Sequence, residues 1–235
     1  MLEIKELATG YPGRVMPTRW NFSLGAGECV LLAGANGSGK STLLKTLAGL
    51  LTSISGEILL DGNSVSFPSD SGKVMLVPTR LPKVKGFSVK DFLAAGTMAG
   101  RFLGRLSPDE IRAIDEALEL LGIADLADRD ISGLSDGEFQ KACIASALSR
   151  RPEVLLLDEP TAFLDVESRL FVLKTLRSIA DSGCTVMFSS HDVVDSLKVA
   201  TRVISIRPGG LQVVSDSTPE SMSEAVKSSL SHYFA

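Results

Sequence analysis

A glycine-rich stretch between an apolar run and a helix-like run most constrains how this chain can fold. Residues Gly34–Thr42 read GANGSGKST, and they follow Cys29–Ala33, which has the pattern of a buried strand. Glycines adopt backbone angles closed to other residues, so such a loop can curl around an anion with its N–H groups pointing inward. The helix expected after the loop adds the positive end of its dipole. The sequence therefore predicts a phosphate-binding loop.

Two side chains at the end of this loop indicate the kind of phosphate compound that it holds. Lys40 can reach the β- and γ-phosphates of a nucleoside triphosphate, and Ser41 can offer its hydroxyl to Mg²⁺. The alternative interpretation is an ordinary turn rich in glycine and serine that happens to precede a helix.

A second apolar strand ends in two carboxylates. Residues Val154–Leu157 are apolar at every position, which is typical of a strand buried on both faces of a parallel sheet. Ligands bind at the carboxyl ends of such strands. Asp158 can hold the Mg²⁺ shell there, and Glu159 can polarise the water that attacks the γ-phosphate. The alternative is a pair of exposed carboxylates in a turn.

Three further features each allow a functional and a structural interpretation. Tyr11 lies beside a turn glycine and can either stack on an adenine ring or pack locally. The stretch Leu134–Glu138 opens a helix, so it can bind phosphate or can simply form a capping box between Ser135 and Glu138. His191 follows a predicted strand and can either bond a γ-phosphate or cap the next helix. The residues alone leave these alternatives open.

The composition excludes several other classes of protein. The chain has 235 residues, 44% of them hydrophobic, and a net charge of −4, which argues against a nucleic-acid-binding surface as its main feature. No apolar run approaches the roughly 18 to 20 residues of a membrane span, and no apolar segment of a signal peptide follows the N-terminus. Three widely spaced cysteines form no Cys-x-x-Cys pair, which indicates buried thiols in a reducing cytoplasm.

The pattern along the rest of the chain predicts an α/β protein with a helical insert. Residues 89–130 carry apolar positions at spacings of three and four, with Ser107 as an N-cap and Pro108 at the first helical position. Helices are also expected at Ser168–Ala180 and Asp192–Ala200. The tail, Thr218–Ala235, is expected to be a short surface helix.

Taken in order, these motifs resemble those of the ATP-binding cassette ATPases over nearly the whole chain. The matching positions are Tyr11, Gly34–Thr42, Leu134–Glu138, Leu157–Pro160, Asp165 and His191. The resemblance implies an α/β fold with a P-loop NTPase (RecA-like) core, an antiparallel β subdomain and an inserted α-helical subdomain. It implies one domain over residues 1–235, with the core at 1–79 and 151–215, the helical subdomain at 80–150 and a tail at 216–235.

The resemblance also implies a role for each motif, with ATP and Mg²⁺ as cofactors. Tyr11 would stack on adenine, and the phosphates would be held by Gly34, Asn36, Gly37, Ser38, Gly39, Lys40, Ser41 and Thr42. Glu159 would be the general base, with Lys40 and His191 contacting the γ-phosphate. The metal would be held by Ser41 and Asp158, with Thr79 as a further candidate.

A head-to-tail dimer follows from the same resemblance. Ser135 and Gly137 of one copy would close over the ATP bound to the other, and Asp165 would lie at that interface. The charge of a triphosphate needs donors on several sides, and one phosphate loop supplies only part of them. ATP would therefore join the subunits, and its hydrolysis would release them.

Three positions depart from the family pattern. Thr79 stands where members usually carry Gln, and its shorter side chain is expected to reach the metal or the attacking water only through another water. Asp136 stands where Gly is commonest, and Phe139 where a basic residue is common. Extra negative charge near a triphosphate is expected to weaken binding unless Asp136 points away.

The insert indicates the branch of the family. Residues Asp91–Gly96, Gly104–Ser107 and Ala117–Ile123 resemble importer ATPases for iron–siderophore, haem and cobalamin. The expected function is therefore an ATP-hydrolysing subunit that is peripheral on the inner face of the cell membrane. Its partners would be a separate integral membrane permease and, indirectly, a substrate-binding protein, with no nucleic acid. The alternatives are a soluble ATPase in an assembly process such as iron–sulfur cluster building, and a nucleotide-gated binding module with little turnover.

Overall fold

The computed structural model of the chain describes residues 1–11, 13–65, 72–98, 105–207 and 210–214. These ranges contain two β-sheets with helices packed on both faces of the larger one. The expected tail helix at Thr218–Ala235 lies outside them. No helix in the described part of the chain is long and apolar enough to cross a membrane.

The smaller sheet is antiparallel. Its strands are β1 (Leu2–Tyr11), β2 (Arg14–Leu24), β4 (Ser55–Leu60) and β5 (Asn63–Ser64). They lie in the order β2-β1-β4-β5. Trp20 of β2 is buried beneath this sheet, and its indole Nε1–H donates to Thr9 Oγ1 at 3.1 Å, so the ring is packed with its only polar atom satisfied.

The larger sheet positions the site. Its strands are β3 (Cys29–Ala33), β6 (Val74–Val77), β7 (Val154–Leu157), β8 (Thr185–Ser189), β9 (Arg202–Arg207) and β10 (Gly210–Val214). The order is β10-β9-β3-β8-β7-β6, with only β10 antiparallel to its neighbour. The carboxyl ends of the five parallel strands therefore meet at one edge.

Alternate residues of β3 enter two different hydrophobic clusters. Cys29 and Leu31 pack with the larger helices on one face of the sheet. Val30 and Leu32 pack on the other face, against the antiparallel sheet and the helix that follows the glycine-rich loop. All five residues of β3 are buried, which explains why this run is apolar throughout.

The α-helices described are α1 (Lys40–Leu47), α2 (Val89–Thr97), α3 (Pro108–Leu120), α4 (Asp136–Leu148), α5 (Val166–Asp181) and α6 (Val193–Leu197). Two short 3-10 helices, Ala124–Leu126 and Ile131–Gly133, precede α4. Helices α2 to α4 lie between β6 and β7 in the chain, so the predicted helical insert is confirmed. Ser107 caps α3 with Pro108 at its first position, as predicted.

Two predicted helix boundaries were wrong by a few residues. Helix α5 begins at Val166 rather than Ser168 because the carboxylate of Asp165 accepts a hydrogen bond from the Ser168 N–H at 2.8 Å and caps the helix earlier. Helix α6 ends at Leu197 rather than Ala200. The chain turns there toward β9, and the N–H of Thr201 donates to Cys29 O at 2.7 Å.

The three thiols provide a test of this packing. Burial raises the pKa of Cys29 and of Cys143 to about 12, and that of Cys184 to about 11. The thiolate is the reactive form, and an unfolded cysteine has a pKa near 8.5, so at pH 8 folding keeps all three thiols protonated.

We expect alkylation by iodoacetamide at pH 8 to be at least about 100-fold slower in the native protein than in urea. Mass spectrometry of timed samples measures this, and rapid native labelling of Cys29 would contradict the packing of β3.

Candidate nucleotide-binding site

The glycine-rich loop connects the carboxyl end of β3 to the start of α1. Gly39, the residue before α1, has φ of 102°, a conformation that only glycine adopts readily. A Cβ added to Gly34 would lie 2.9 Å from the side-chain oxygen of Ser38, so the loop also closes on itself too tightly for a larger residue. The local sequence is therefore dictated by the backbone path around the start of α1.

Lys40 is a buried cation inside this loop. Its side chain is almost covered, with 6% of the residue exposed, and Nζ donates to Gly34 O at 2.7 Å and to Ala35 O at 3.1 Å. Burial lowers the pKa of Lys40, while the charges of Glu159 and Asp158 act in the opposite direction. Burial is the largest of these effects, so the two carbonyls and the two carboxylates offset the desolvation of the ammonium group only in part, and an anion in the loop would stabilise it further.

A cleft of about 260 Å³ lies over the loop. Tyr11, Lys40, Ser41 and Glu159 are among the residues that line it. The structure thus brings together an aromatic ring, a cation, a hydroxyl and a carboxylate that are far apart in the sequence. Arg14 of β2 also lines the cleft, a residue that the sequence pattern did not single out.

One hydroxyl at the end of β8 bonds both acidic residues that follow β7. Ser189 Oγ, which is fully buried at the end of β8, donates to Asp158 Oδ1 at 2.8 Å and accepts from the Glu159 N–H at 2.9 Å. Glu159 itself has φ of 53°, in the left-handed region that side chains other than glycine's rarely adopt. Ser189 therefore fixes both residues. The only feature of the sequence that could have pointed to Ser189 is its place two residues before His191.

His191 contacts Glu159 directly. Its Nε2 lies 2.7 Å from Glu159 Oε1, and the imidazole is more exposed than the carboxylate. This contact orients a carboxylate that lines the cleft. The alternative role of His191 as a helix cap does not apply, because Asp192 is the residue that caps α6.

The stretch before α4 takes a different position. Ser135 and Glu138 form a capping box, in which the Glu138 N–H donates to Ser135 Oγ at 3.2 Å and the Ser135 N–H donates to Glu138 Oε2 at 2.7 Å. Among the described residues, those lining the cleft do not include Ser135, Gly137 or Asp165. Ser135 and Asp165 are exposed, and hydrogen bonds from Ser168 lower the pKa of Asp165.

Thr79 also lies apart from the cleft. It follows β6 and lines a separate hollow of about 340 Å³ together with Arg80, Lys83 and Asp136. Thr79 therefore shares a hollow with the first residue of α4 and not with Lys40.

The loop, the buried lysine and the paired carboxylates at one sheet edge define a phosphate-loop nucleotide-binding domain with an inserted helical subdomain. Residues 18–162 match the family model described as ABC transporter, and the chain therefore belongs to the ABC transporter family. It is an ATP-binding subunit of this family and an ATP hydrolase whose reaction powers transport. The resemblance and fold class predicted from the sequence are confirmed.

Individual relatives come from different transport systems. The chain is 34% identical over 213 residues to the iron(3+)-hydroxamate import ATP-binding protein FhuC of Bacillus subtilis (strain 168), covering 88% of this chain and 79% of FhuC. It is 35% identical over 228 residues to the energy-coupling factor transporter ATP-binding protein EcfA of Methanothermobacter thermautotrophicus, covering 93% and 71%. The solved structure of CbiO1 from Clostridium perfringens, part of the ABC transporter complex CbiONQ, superposes with a TM-score of 0.78 at 28% identity, covering 95% and 90%.

The shared hydroxyl of Ser189 gives a prediction for this site. We expect Ser189→Ala to lower kcat for ATP hydrolysis about 10- to 100-fold, because the Asp158 carboxylate and the Glu159 backbone N–H lose the hydroxyl that orients them. Steady-state release of phosphate measures the change. Ser149→Ala is the matched control. Ser149 is also buried and bonded, to Thr97 and Ser146, but it caps the end of α4 and does not line the cleft among the described residues. Equal rates in the two variants would contradict the positioning role.

Proposed function

We propose that this chain drives a separate integral membrane permease that imports an iron–siderophore complex, haem or cobalamin. The observation that carries the proposal is an exposed apolar surface on the segment between β6 and α2. Leu81, Val84 and Phe87 expose large apolar side chains there, on a stretch that is hydrogen-bonded to the helical insert. Such a surface suits a helix of a permease, and it would hold the chain at the inner face of the membrane.

The residues proposed to hold Mg²⁺ offer oxygen donors. Ser41 lines the cleft with its hydroxyl. Asp158 does not line the cleft among the described residues, but it is a buried carboxylate directly before Glu159, with one oxygen bonded to Ser189. Hard oxygen donors of this kind are those that Mg²⁺ prefers, and the bound ion would offset charge on the phosphate oxygens. Thr79 lines a different hollow and is not among the described residues that line the cleft, so any contact that it makes with the ion would run through a water.

The residues around Glu159 support its role as general base. Glu159 lies in the cleft, held by Ser189 through its backbone and by His191 through its carboxylate. In this position it accepts a proton from the water that attacks the γ-phosphate. Lys40 and Tyr11 line the same cleft, where Lys40 would hold the phosphates and Tyr11 would stack on the adenine ring.

We propose that two copies bind ATP between them in a head-to-tail arrangement. One phosphate loop leaves part of the triphosphate without donors, and Ser135 and Gly137 would supply them from the second copy. The exposed apolar side chains of Phe163 and Val166, on either side of Asp165, support an interface at this position. ATP binding would close the dimer and hydrolysis would open it.

The choice of cargo rests on two similarities. The motifs of the helical insert resemble those of importer ATPases for metal chelates, and FhuC is named for iron(3+)-hydroxamate import. The cargo itself would contact the permease and a substrate-binding protein rather than this chain.

Affinity purification from native membranes tests the proposal. The tagged chain would be solubilised in mild detergent, with Glu159→Gln to trap the ATP-bound form and Lys40→Met as the control that binds no ATP. We expect a polytopic permease to co-purify, and its own sequence to narrow the cargo. Recovery of a soluble partner alone would instead favour an assembly ATPase.

A further inference from the structure

Lys83 joins the segment after β6 to the first turn of α4. Its Nζ donates to Leu134 O at 2.8 Å and to Asp136 Oδ1 at 2.8 Å, and it lies 5.5 Å from the centre of the Phe139 ring. A single lysine therefore contacts the carbonyl before the N-cap, the carboxylate at the first helical position and an aromatic ring one turn later. With only 26% of its side chain exposed, Lys83 is held in this place.

The carboxylate that Lys83 holds belongs to a residue whose charge would lie near ATP in the proposed dimer. Asp136 stands between Ser135 and Gly137, the two residues that the proposed dimer places on the ATP of the second copy. The Asp136 side chain is 75% exposed, and Lys83 is the residue that forms an ion pair with it in the described part of the chain. The charge of Arg80 also acts on Asp136 and lowers its pKa, but it contributes less than the hydrogen bond and charge of Lys83. Like charges at short range cost binding energy, and burial of the interface would strengthen the repulsion. The hydrogen bond and charge of Lys83 lower the pKa of Asp136, so the carboxyl stays ionised and paired.

The backbone around Lys83 is fixed to the same part of the helical insert. The Gly86 N–H donates to Asp130 Oδ2 at 2.8 Å, and the Ile131 N–H donates to Phe87 O at 2.9 Å. These bonds hold the segment after β6 against the residues that lead into α4. The backbone on the C-terminal side of Lys83 is thus fixed by hydrogen bonds to the residues that lead into α4.

We propose that Lys83 is a positioning residue for the ATP of the second copy. It neutralises Asp136 and holds that carboxylate against the segment after β6, so that Ser135 and Gly137 can approach the triphosphate. This explains how the chain accommodates an aspartate where the family commonly has glycine. The proposal rests on the head-to-tail dimer proposed above.

The test measures ATP-dependent dimerisation in the Glu159→Gln background, by sedimentation velocity over a titration of ATP with Mg²⁺. We expect Lys83→Met to raise the ATP concentration for half-dimerisation about tenfold, since each of the two symmetric sites loses an ion pair and gains a repulsion. Binding of ATP to the monomer should not change, because Lys83 does not line the cleft over the phosphate loop among the residues described there.

A second substitution separates charge neutralisation from packing. In the double variant Lys83→Met with Asp136→Gly there is no carboxylate to neutralise, so half-dimerisation should return to within about twofold of the parent. Lys83→Arg keeps the cation and should dimerise like the parent. The matched control is Lys85→Met, which removes an exposed lysine of the same segment and should have no effect.

The outcomes are distinct. Normal dimerisation of Lys83→Met overturns the inference, and so does a defect that Asp136→Gly fails to rescue, because Lys83 would then act through packing alone. Both results leave the proposed ATP-dependent dimer intact. If the Glu159→Gln parent itself does not dimerise with ATP, the dimer and the role of Lys83 are both wrong.

Discussion

The Glu159→Gln variant is expected to hydrolyse ATP at about one hundredth of the wild-type rate or less while still binding ATP. A carboxamide cannot accept the proton of the attacking water, and general bases typically contribute about 10²- to 10⁴-fold to a rate. Glutamine has the same shape, and the backbone bond from Glu159 to Ser189 does not depend on the side chain. Steady-state release of phosphate gives the rate, and equilibrium binding of a fluorescent ATP analogue gives the affinity.

An exposed glutamate of the helical insert provides the control for this measurement. Glu119→Gln removes the same charge on α3, and it should leave both the rate and the affinity unchanged. A Glu159→Gln protein that retains more than about one tenth of the activity would show that another group takes the proton. His191 would then be the group to examine, since it lies 2.7 Å from Glu159.

The Lys40→Met variant is expected to lose ATP binding. Removing one partner of a buried charged contact typically costs about 2–4 kcal/mol, which corresponds to roughly 30- to 1000-fold in Kd. Methionine fills the space of the lysine stem without its charge, so the loop keeps its packing. Isothermal titration with ATP and Mg²⁺ measures the affinity, and the rise in Tm with added ATP should disappear in parallel.

The matched control for Lys40→Met is Lys45→Met. Lys45 lies on the same helix, α1, and is only half-buried. Its replacement should leave the Kd for ATP within about twofold of the wild type, as is usual for a surface substitution. Equal losses in the two variants would mean that α1 has been disturbed as a whole, and the role given to Lys40 would not stand.

The parts of the fold that the sequence predicted are those with local causes. The strand Cys29–Ala33 was predicted with its observed bounds, because every residue in it is apolar and a glycine-rich loop ends it. The start of α3 was predicted because Ser107 and Pro108 fix it through contacts within one turn. Strand, loop and cap signals of this kind need no knowledge of the rest of the chain.

The parts that the sequence did not predict depend on contacts between distant residues. Ser189 bonds Asp158 across 31 positions, and Lys83 bonds Asp136 across 53. No periodicity or motif marks either residue, since a serine ending a strand and a lysine in a loop are ordinary. The sequence did draw attention to Asp136 through its charge, but only the fold supplies the cation that pairs with it.

The backbone of Glu159 carries a consequence for how this protein balances stability against activity. A left-handed conformation in a residue with a side chain costs about 1 kcal/mol or more of folding free energy, and a glycine in its place would avoid that cost. The carboxylate that we propose as the general base is therefore held in the cleft at the expense of the stability of the strand end that carries it.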